Sequence, residues 1–199
     1  PAAHPTTLDA QGQGRVLYVI GDISPTVENL HITGGDAAGI TGGSLGDTWG
    51  GGVYVLSATV ALRNNQIEGN QADHAGGLYL ENSAATLEGN IFSSNTATGG
   101  SYAMYGYGGG LYLYSSPAVL SGNVISGNTA SGPYGSYGGG LYLDDSSVTL
   151  TANTFAANVA DYGYGGGLYL DGSEVVLTDN RFLSNTAESG GGLKAQSGD

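Results

Sequence analysis

Apolar and polar residues alternate along most of this chain in short runs, and the runs return in register at a long period. Val53, Leu78, Leu111, Leu141, Leu168 and Leu193 anchor the repeat, each preceded by Gly-Gly and all but Leu78 by three glycines. Two residues after each anchor stand Val55, Leu80, Leu113, Leu143, Leu170 and Ala195. Nine residues on come Leu62, Leu87, Leu120, Leu150 and Leu177, and fourteen on come Ile67, Phe92, Ile125, Phe155 and Phe182. Nineteen on come Ala72, Ala97, Ala130, Ala160 and Ala187, so five copies keep twenty positions without a gap. Alternation with a period of two marks strands that bury one face.

Three such runs and three bends per copy describe one coil of a solenoid. The runs are the anchor triplet, the stretch ending at the ninth-position Leu, and Asn-x-Phe or Asn-x-Ile. Asn-Gly hairpin turns are absent between them, so each copy is expected to pair in parallel with its neighbours, about 4.8 Å away. The pattern predicts an all-β, single-stranded parallel β-helix of about six to seven coils with three short strands each. It forms one domain over 1–199, with a degenerate coil at 1–40, five regular coils at 50–187 and a partial coil at 188–199. In the degenerate coil, Val16-Leu17-Tyr18-Val19 takes the place of an anchor strand, and Leu30 stands where a bend asparagine would be.

Asparagine marks two bends of every regular coil. Asn65, Asn90, Asn123, Asn153 and Asn180 lie twelve residues after their anchors, and Asn70, Asn95, Asn128, Asn158 and Asn185 seventeen after. Asn tolerates left-handed backbone angles, and its amide both donates and accepts, so stacked copies predict hydrogen-bonded ladders that end at Leu30. Tyr54, Tyr79, Tyr112, Tyr142 and Tyr169 follow the anchors and should point outward as a stack about 5 Å apart. Anchor spacings of 25, 33, 30, 27 and 25 differ only between the nineteenth-position Ala and the glycines. The inserts there carry Tyr102, Tyr105, Tyr107, Tyr134, Tyr137, Tyr162 and Tyr164, all expected at one corner as a contact rim for a glycan or a surface receptor.

The Gly-Gly-Leu-Tyr-Leu segments and Phe92 with Asn95, Phe155 with Asn158 and Phe182 with Asn185 resemble bacterial surface proteins built from right-handed parallel β-helix repeats. The Phe-x-x-Asn half and Gly76-Gly77-Leu78 are similar to the two halves of polymorphic outer-membrane protein repeats. The resemblance implies a pectate-lyase-like fold, right-handed winding in keeping with the general crossover rule, and an extracellular or cell-surface location.

Composition narrows the chemistry. A formal charge of −13, with only four Lys plus Arg, argues against nucleic acid and against anionic membranes. The chain has no Cys, and no apolar run approaches a membrane span. The β-helix enzymes of this resemblance need clustered carboxylates with a nearby cation, or convergent Asp with a Gly-His-Gly segment. Arg15, Arg63, Arg181 and Lys194 are scattered over different coils, and His4, His31 and His74 lack that context, so each His is read as a surface or bend residue. No enzyme activity and no catalytic residue are expected. Asp144, Asp145 and Asp171 are the residues that could hold a surface Ca²⁺; otherwise no cofactor or metal is expected.

The two ends suggest a partner. The stretch after Leu193 is short, and Thr6-Thr7-Leu8-Asp9 resembles Thr86-Leu87-Glu88 with Leu8 at the ninth position. A C-terminal and an N-terminal half coil would then combine between molecules through Thr7, Leu8, Leu17, Leu193 and Ala195. The partner would be a second copy, and the contact heterologous, so that it grows filaments. The functional expectation is a non-enzymatic structural solenoid; the alternatives are an adhesin or stalk module, or a carbohydrate-binding or carbohydrate-cleaving β-helix.

Overall fold

A computed structural model of the chain describes residues 5–38, 48–100 and 104–197. Its strands stack into four sheets along one axis, each coil adding a strand to each sheet in turn. The first sheet runs from Leu17–Ile20 through the anchor strands Val53–Leu56, Leu78–Glu81, Leu111–Tyr114, Leu141–Asp144 and Leu168–Asp171 to Leu193–Gln196. The second extends from Thr26–Glu28 to Glu174–Thr178, and the third from Thr6–Asp9 to Arg181–Leu183. Pairing is parallel and in step with the repeat: Leu78 faces Leu111, Leu87 faces Leu120, and Phe92 faces Ile125. The inward residues of these three sheets form the core, with the anchors from Val53 to Leu168 and Phe92, Ile125 and Phe155 wholly buried.

The three expected strands per coil are present, and a fourth joins them. Gln71–Ala72, Thr96–Ala97 and Thr129–Ala130 pair in a fourth sheet, which the insert strands Gly106–Tyr107 and Ser136–Tyr137 also enter. These strands are two residues long, too short for alternation to reveal them. In the first coil Leu17 pairs with Val53, Val27 with Leu62 and Ile32 with Ile67.

The placement of Leu8 at the ninth position is corrected. Thr6–Asp9 pairs with Leu30–Thr33, setting Leu8 on Ile32, which is the fourteenth-position ladder. Alternation alone is the same on every strand and does not fix which sheet a run joins. Chain length does: nine residues separate Leu8 from Leu17, whereas a regular 25-residue coil spends sixteen from its ninth position to the next anchor and eleven from its fourteenth.

Both asparagine ladders are continuous. Asn123 Oδ1 accepts from the backbone N–H and the side-chain amide of Asn90 at 2.9 and 3.1 Å. Its own Nδ2 donates to the Leu87 carbonyl at 2.8 Å and to Asn153 Oδ1 at 2.9 Å. The same pattern links Asn70, Asn95, Asn128, Asn158 and Asn185. At the first coil the ladders stop on backbone, where Leu30 and Gly35 donate to Asn65 and Asn70. The ladder asparagines are not themselves left-handed. The residue before each one takes that conformation, such as Ala152 and Ala157 with φ of 54° and 53°. That turn aims the next side chain along the axis, into the bend.

A third ladder escaped the sequence reading. Ser83, Ser116, Ser146 and Ser173, five residues after their anchors, accept the backbone N–H of the preceding coil's residue at 2.9–3.1 Å. The recurrence of Ser at that place was visible; the hydroxyl simply carries a weaker composition signal than Asn. The glycines before the anchors serve close approach: a Cβ on Gly77 would fall 2.5 Å from the Gly110 carbonyl oxygen of the next coil.

Truncating Asn123 to Ala leaves donors and acceptors on both neighbouring coils without partners, and should cost about 2–4 kcal/mol in urea unfolding. Ala157→Gly removes the left-handed penalty of a Cβ and should stabilise by about 0.5–1 kcal/mol in the same assay.

Candidate functional site

The tyrosines after the anchors point away from the core and follow one another along the axis, face to face from Tyr18 to Tyr79 and edge-on or tilted from Tyr79 to Tyr169. Ring centroids lie 5.1 Å apart for Tyr18–Tyr54, 5.2 Å for Tyr54–Tyr79, 5.0 Å for Tyr79–Tyr112, 4.7 Å for Tyr112–Tyr142 and 5.4 Å for Tyr142–Tyr169. They do not face solvent, however. Tyr54, Tyr79, Tyr112, Tyr142 and Tyr169 are buried in a second apolar cluster. The inserts fold back over the stack, bringing Tyr107 5.1 Å from Tyr142 and Tyr137 5.0 Å from Tyr169, while Trp49 packs 5.0 Å from Tyr79.

The single rim of insert tyrosines is therefore corrected to two populations. Tyr107, Tyr137 and Tyr164 roof the stack, because the glycines around them let the insert strands hydrogen-bond sideways into the fourth sheet. Tyr134 and Tyr162 stay 68% and 75% exposed at the corner. Tyr105 lies between, 6.1 Å from Tyr134 and 5.7 Å from Tyr137. Tyr102 lies outside the described residues.

The anchor-strand wall of this aromatic groove is polar. At three anchors the residue three positions on receives a hydroxyl from the coil before: Tyr54 donates to Glu81 Oε2 at 2.8 Å, Tyr112 to Asp144 Oδ2 at 2.8 Å, and Tyr169 to Gln196 Oε1 at 3.0 Å. Burial pushes the Tyr107 and Tyr169 hydroxyls up to about 12, with nearby phenols and carboxylates adding to the shift. Burial also raises the Asp144 carboxyl, opposed by the Tyr112 hydrogen bond and reinforced by Asp145 and Asp171. Asp144 and Asp171 are neighbours across the first sheet. Among the described residues no three His, Cys, Asp or Glu side chains converge to hold a metal ion, so the alternative of a surface Ca²⁺ on Asp144, Asp145 and Asp171 finds no cluster there.

Two cations lie against the aromatic groove, a placement not legible in the sequence. The Arg15 guanidinium lies 4.6 Å from the Tyr54 ring centroid and 5.0 Å from that of Tyr18, and donates to the Trp49 carbonyl at 2.7 Å. The Lys194 ammonium lies 3.7 Å from the Tyr164 centroid. There Tyr107, Tyr137, Tyr142, Tyr164, Tyr169, Asp171, Lys194 and Gln196 line a half-open cleft of about 240 Å³. A larger depression of about 470 Å³ beside the serine ladder is shallow and has Asp22 as its one charged lining residue.

His74 is buried, not a surface residue. Its ring lies 4.7 Å from Tyr107 and 5.3 Å from Trp49. Burial lowers its pKa to about 4 against an opposing pull from the Asp73 backbone, and Nδ1 makes no well-formed hydrogen bond among the described residues. The surface reading holds for His31, which meets Glu68 at 2.8 Å on the outer face of the third sheet. His4 lies outside the described residues.

Residues 15–199 match the family described as right handed beta helix region. No curated protein matches the chain.

A neutral, buried His74 makes stability depend on pH. Its folded pKa of about 4 lies below the unfolded value near 6.5, so the unfolded state takes up the proton first. The contribution is intact above about pH 6.5 and falls by roughly 3 kcal/mol as pH drops toward 4. The difference in unfolding free energy between wild type and His74→Phe, followed from pH 7 to 4, should shift by that amount in favour of the Phe variant.

Proposed function

The chain belongs to the right-handed β-helix family, and from that premise we propose that it is a non-enzymatic structural protein of the cell surface or extracellular space. In this reading it is a β-solenoid rod whose coils stack head-to-tail on those of further copies. The observation that carries the reading is how the polar side chains are used. The Asn amides bond to the next coil's amides, the Ser hydroxyls to the preceding coil's backbone, and Tyr54 and Tyr112 to Glu81 and Asp144. These groups are engaged in stacking, and the same groups extend a stack between molecules without new chemistry.

The edge strands are compatible with that extension. Stacked in trans, Thr6–Asp9 would follow Arg181–Leu183 in the third sheet and bring Leu8 onto Phe182. Leu17–Ile20 would follow Leu193–Gln196 in the first sheet, placing Leu17 over Leu193, Val19 over Ala195 and Tyr18 over Lys194. Thr7 would lie on the outer face of the same junction. One rung of the second sheet would stay open between Glu174–Thr178 and the next copy's Thr26–Glu28. The exposed Tyr134 and Tyr162 favour a second reading, an adhesin or stalk module that meets a receptor or glycan through the insert corner.

Electron microscopy and sedimentation of the full natural protein separate the two. Rods that lengthen with concentration, persist in high salt and shorten in Leu8→Asp support trans stacking. Monodisperse monomers at high concentration contradict it.

A further inference from the structure

We propose that Tyr105 and Tyr134 form an oxidative crosslinking site, where a dityrosine bond staples two neighbouring coils of this cysteine-free chain. Placement is the first ground. The two tyrosines stand on the inserts of the two longest regular coils, those with anchor spacings of 33 and 30. The backbone already joins these inserts: the Tyr134 N–H donates to the Met104 carbonyl at 3.1 Å, and the Gly106 N–H to the Gly135 carbonyl at 3.2 Å. The two ring centroids lie 6.1 Å apart, tilted by 47°. A carbon ortho to the hydroxyl sits about 1.4 Å from its ring centre, so edges turned toward each other approach to about 3.3 Å, the range of atoms ready to react. Tyr134 is 68% exposed, so an oxidant reaches it and its ring is free to turn.

The second ground is that the other tyrosine pairs are worse placed. Tyr107 and Tyr137 are closer, at 5.5 Å, but they roof the buried stack, where a ring cannot turn without losing packing. Their contacts with Tyr105, at 6.2 and 5.7 Å, carry the same cost. Burial also raises the pKa of both phenols, which makes the proton that oxidation removes harder to lose. Arg15 lies over Tyr18 and Tyr54, and Lys194 over Tyr164, and a positive charge at that range opposes taking an electron from the ring. Tyr162 is 75% exposed but meets no ring among the described residues, so it has no partner within the molecule there.

The coupling needs a one-electron oxidant, and hydrogen peroxide acting through a haem peroxidase is of that class. Each phenol loses one electron and its hydroxyl proton, giving two phenoxyl radicals. These join through a new carbon–carbon bond between the two ortho carbons. The hydrogen on each of those carbons then leaves as a proton and another returns to each phenol oxygen through water, restoring both rings. One peroxide takes up the two electrons and two protons and leaves as two waters, and the protein is lighter by two hydrogen atoms. The chain has no Cys, so no disulfide can constrain these inserts. A bond between neighbouring coils at this corner limits the unfolded chain as a disulfide would.

Treatment of the dilute full chain with a haem peroxidase and hydrogen peroxide tests this. The readouts are dityrosine fluorescence of the monomer band on denaturing gels and mass spectrometry of its linked peptides. Circular dichroism first establishes that each variant is folded. Wild type should give one dominant link within the monomer, from Tyr105 to Tyr134. Tyr105→Phe and Tyr134→Phe should each lower monomer dityrosine by about tenfold, because only an adjacent ring offers so high a local concentration. Tyr162→Phe should leave the monomer signal unchanged. Monomer dityrosine that survives either Phe variant at position 105 or 134, links that map to other tyrosines, or no link within monomers under conditions that couple free N-acetyltyrosine would each overturn the proposal.

Discussion

A parallel β-helix is governed by one spacing: every coil must repeat its neighbour about 4.8 Å along the axis, at the same angular position. Strands meet that demand through their backbone. Bends do not, because a turning chain points its N–H and C=O groups out of line. In this protein the bends are brought into line by side chains. Each ladder asparagine accepts the backbone N–H of the coil before it and donates to a carbonyl, and all but the last of each ladder, Asn180 and Asn185, donate to the next amide as well. A left-handed residue just upstream sets the direction, and serines close a third corner in the same way. The bends thereby gain hydrogen bonds as regular as those of the sheets.

The rest of the molecule follows from that regularity. Once three corners are locked, length can vary only at the fourth, and all the inserts emerge there. A stack fixed in register forces the outward tyrosines into contact along the axis, and phenol rings are too apolar to leave uncovered over so many coils. The inserts supply the cover with their own tyrosines and with Trp49 and His74. Arg15 then seats over Tyr18 and Tyr54, and Lys194 over Tyr164 of the roof. The groove is thus a consequence of the spacing.

Much of the fold was legible because it rests on positions that recur. The anchor, ninth and fourteenth residues gave the core, and Asn65 to Asn185 gave the ladders. What the sequence did not disclose has physical causes. Two-residue strands such as Gln71–Ala72 are too short to alternate. Thr6–Asp9 carries a pattern common to every strand, so likeness misplaced Leu8 where counting residues to Leu17 would have placed it correctly. The tyrosine stack was assigned its direction but not its burial, since nothing in Tyr79 or Tyr142 shows that a distant insert folds back over it. His74 and Lys194 gain their roles only from rings brought close by that fold-back, and a lone His or Lys in a loop or edge strand carries no such sign.

The most direct test of the ladder account is native-state hydrogen exchange at the bends. The backbone amides of Asn90, Asn95, Asn123 and Asn128 donate to side-chain carbonyls of the next coil at 2.9–3.1 Å. If those ladders hold the solenoid, these amides exchange only through global unfolding, as slowly as those of the anchor leucines. Exchange at the rates of open turns, with the anchor strands still protected, would contradict it.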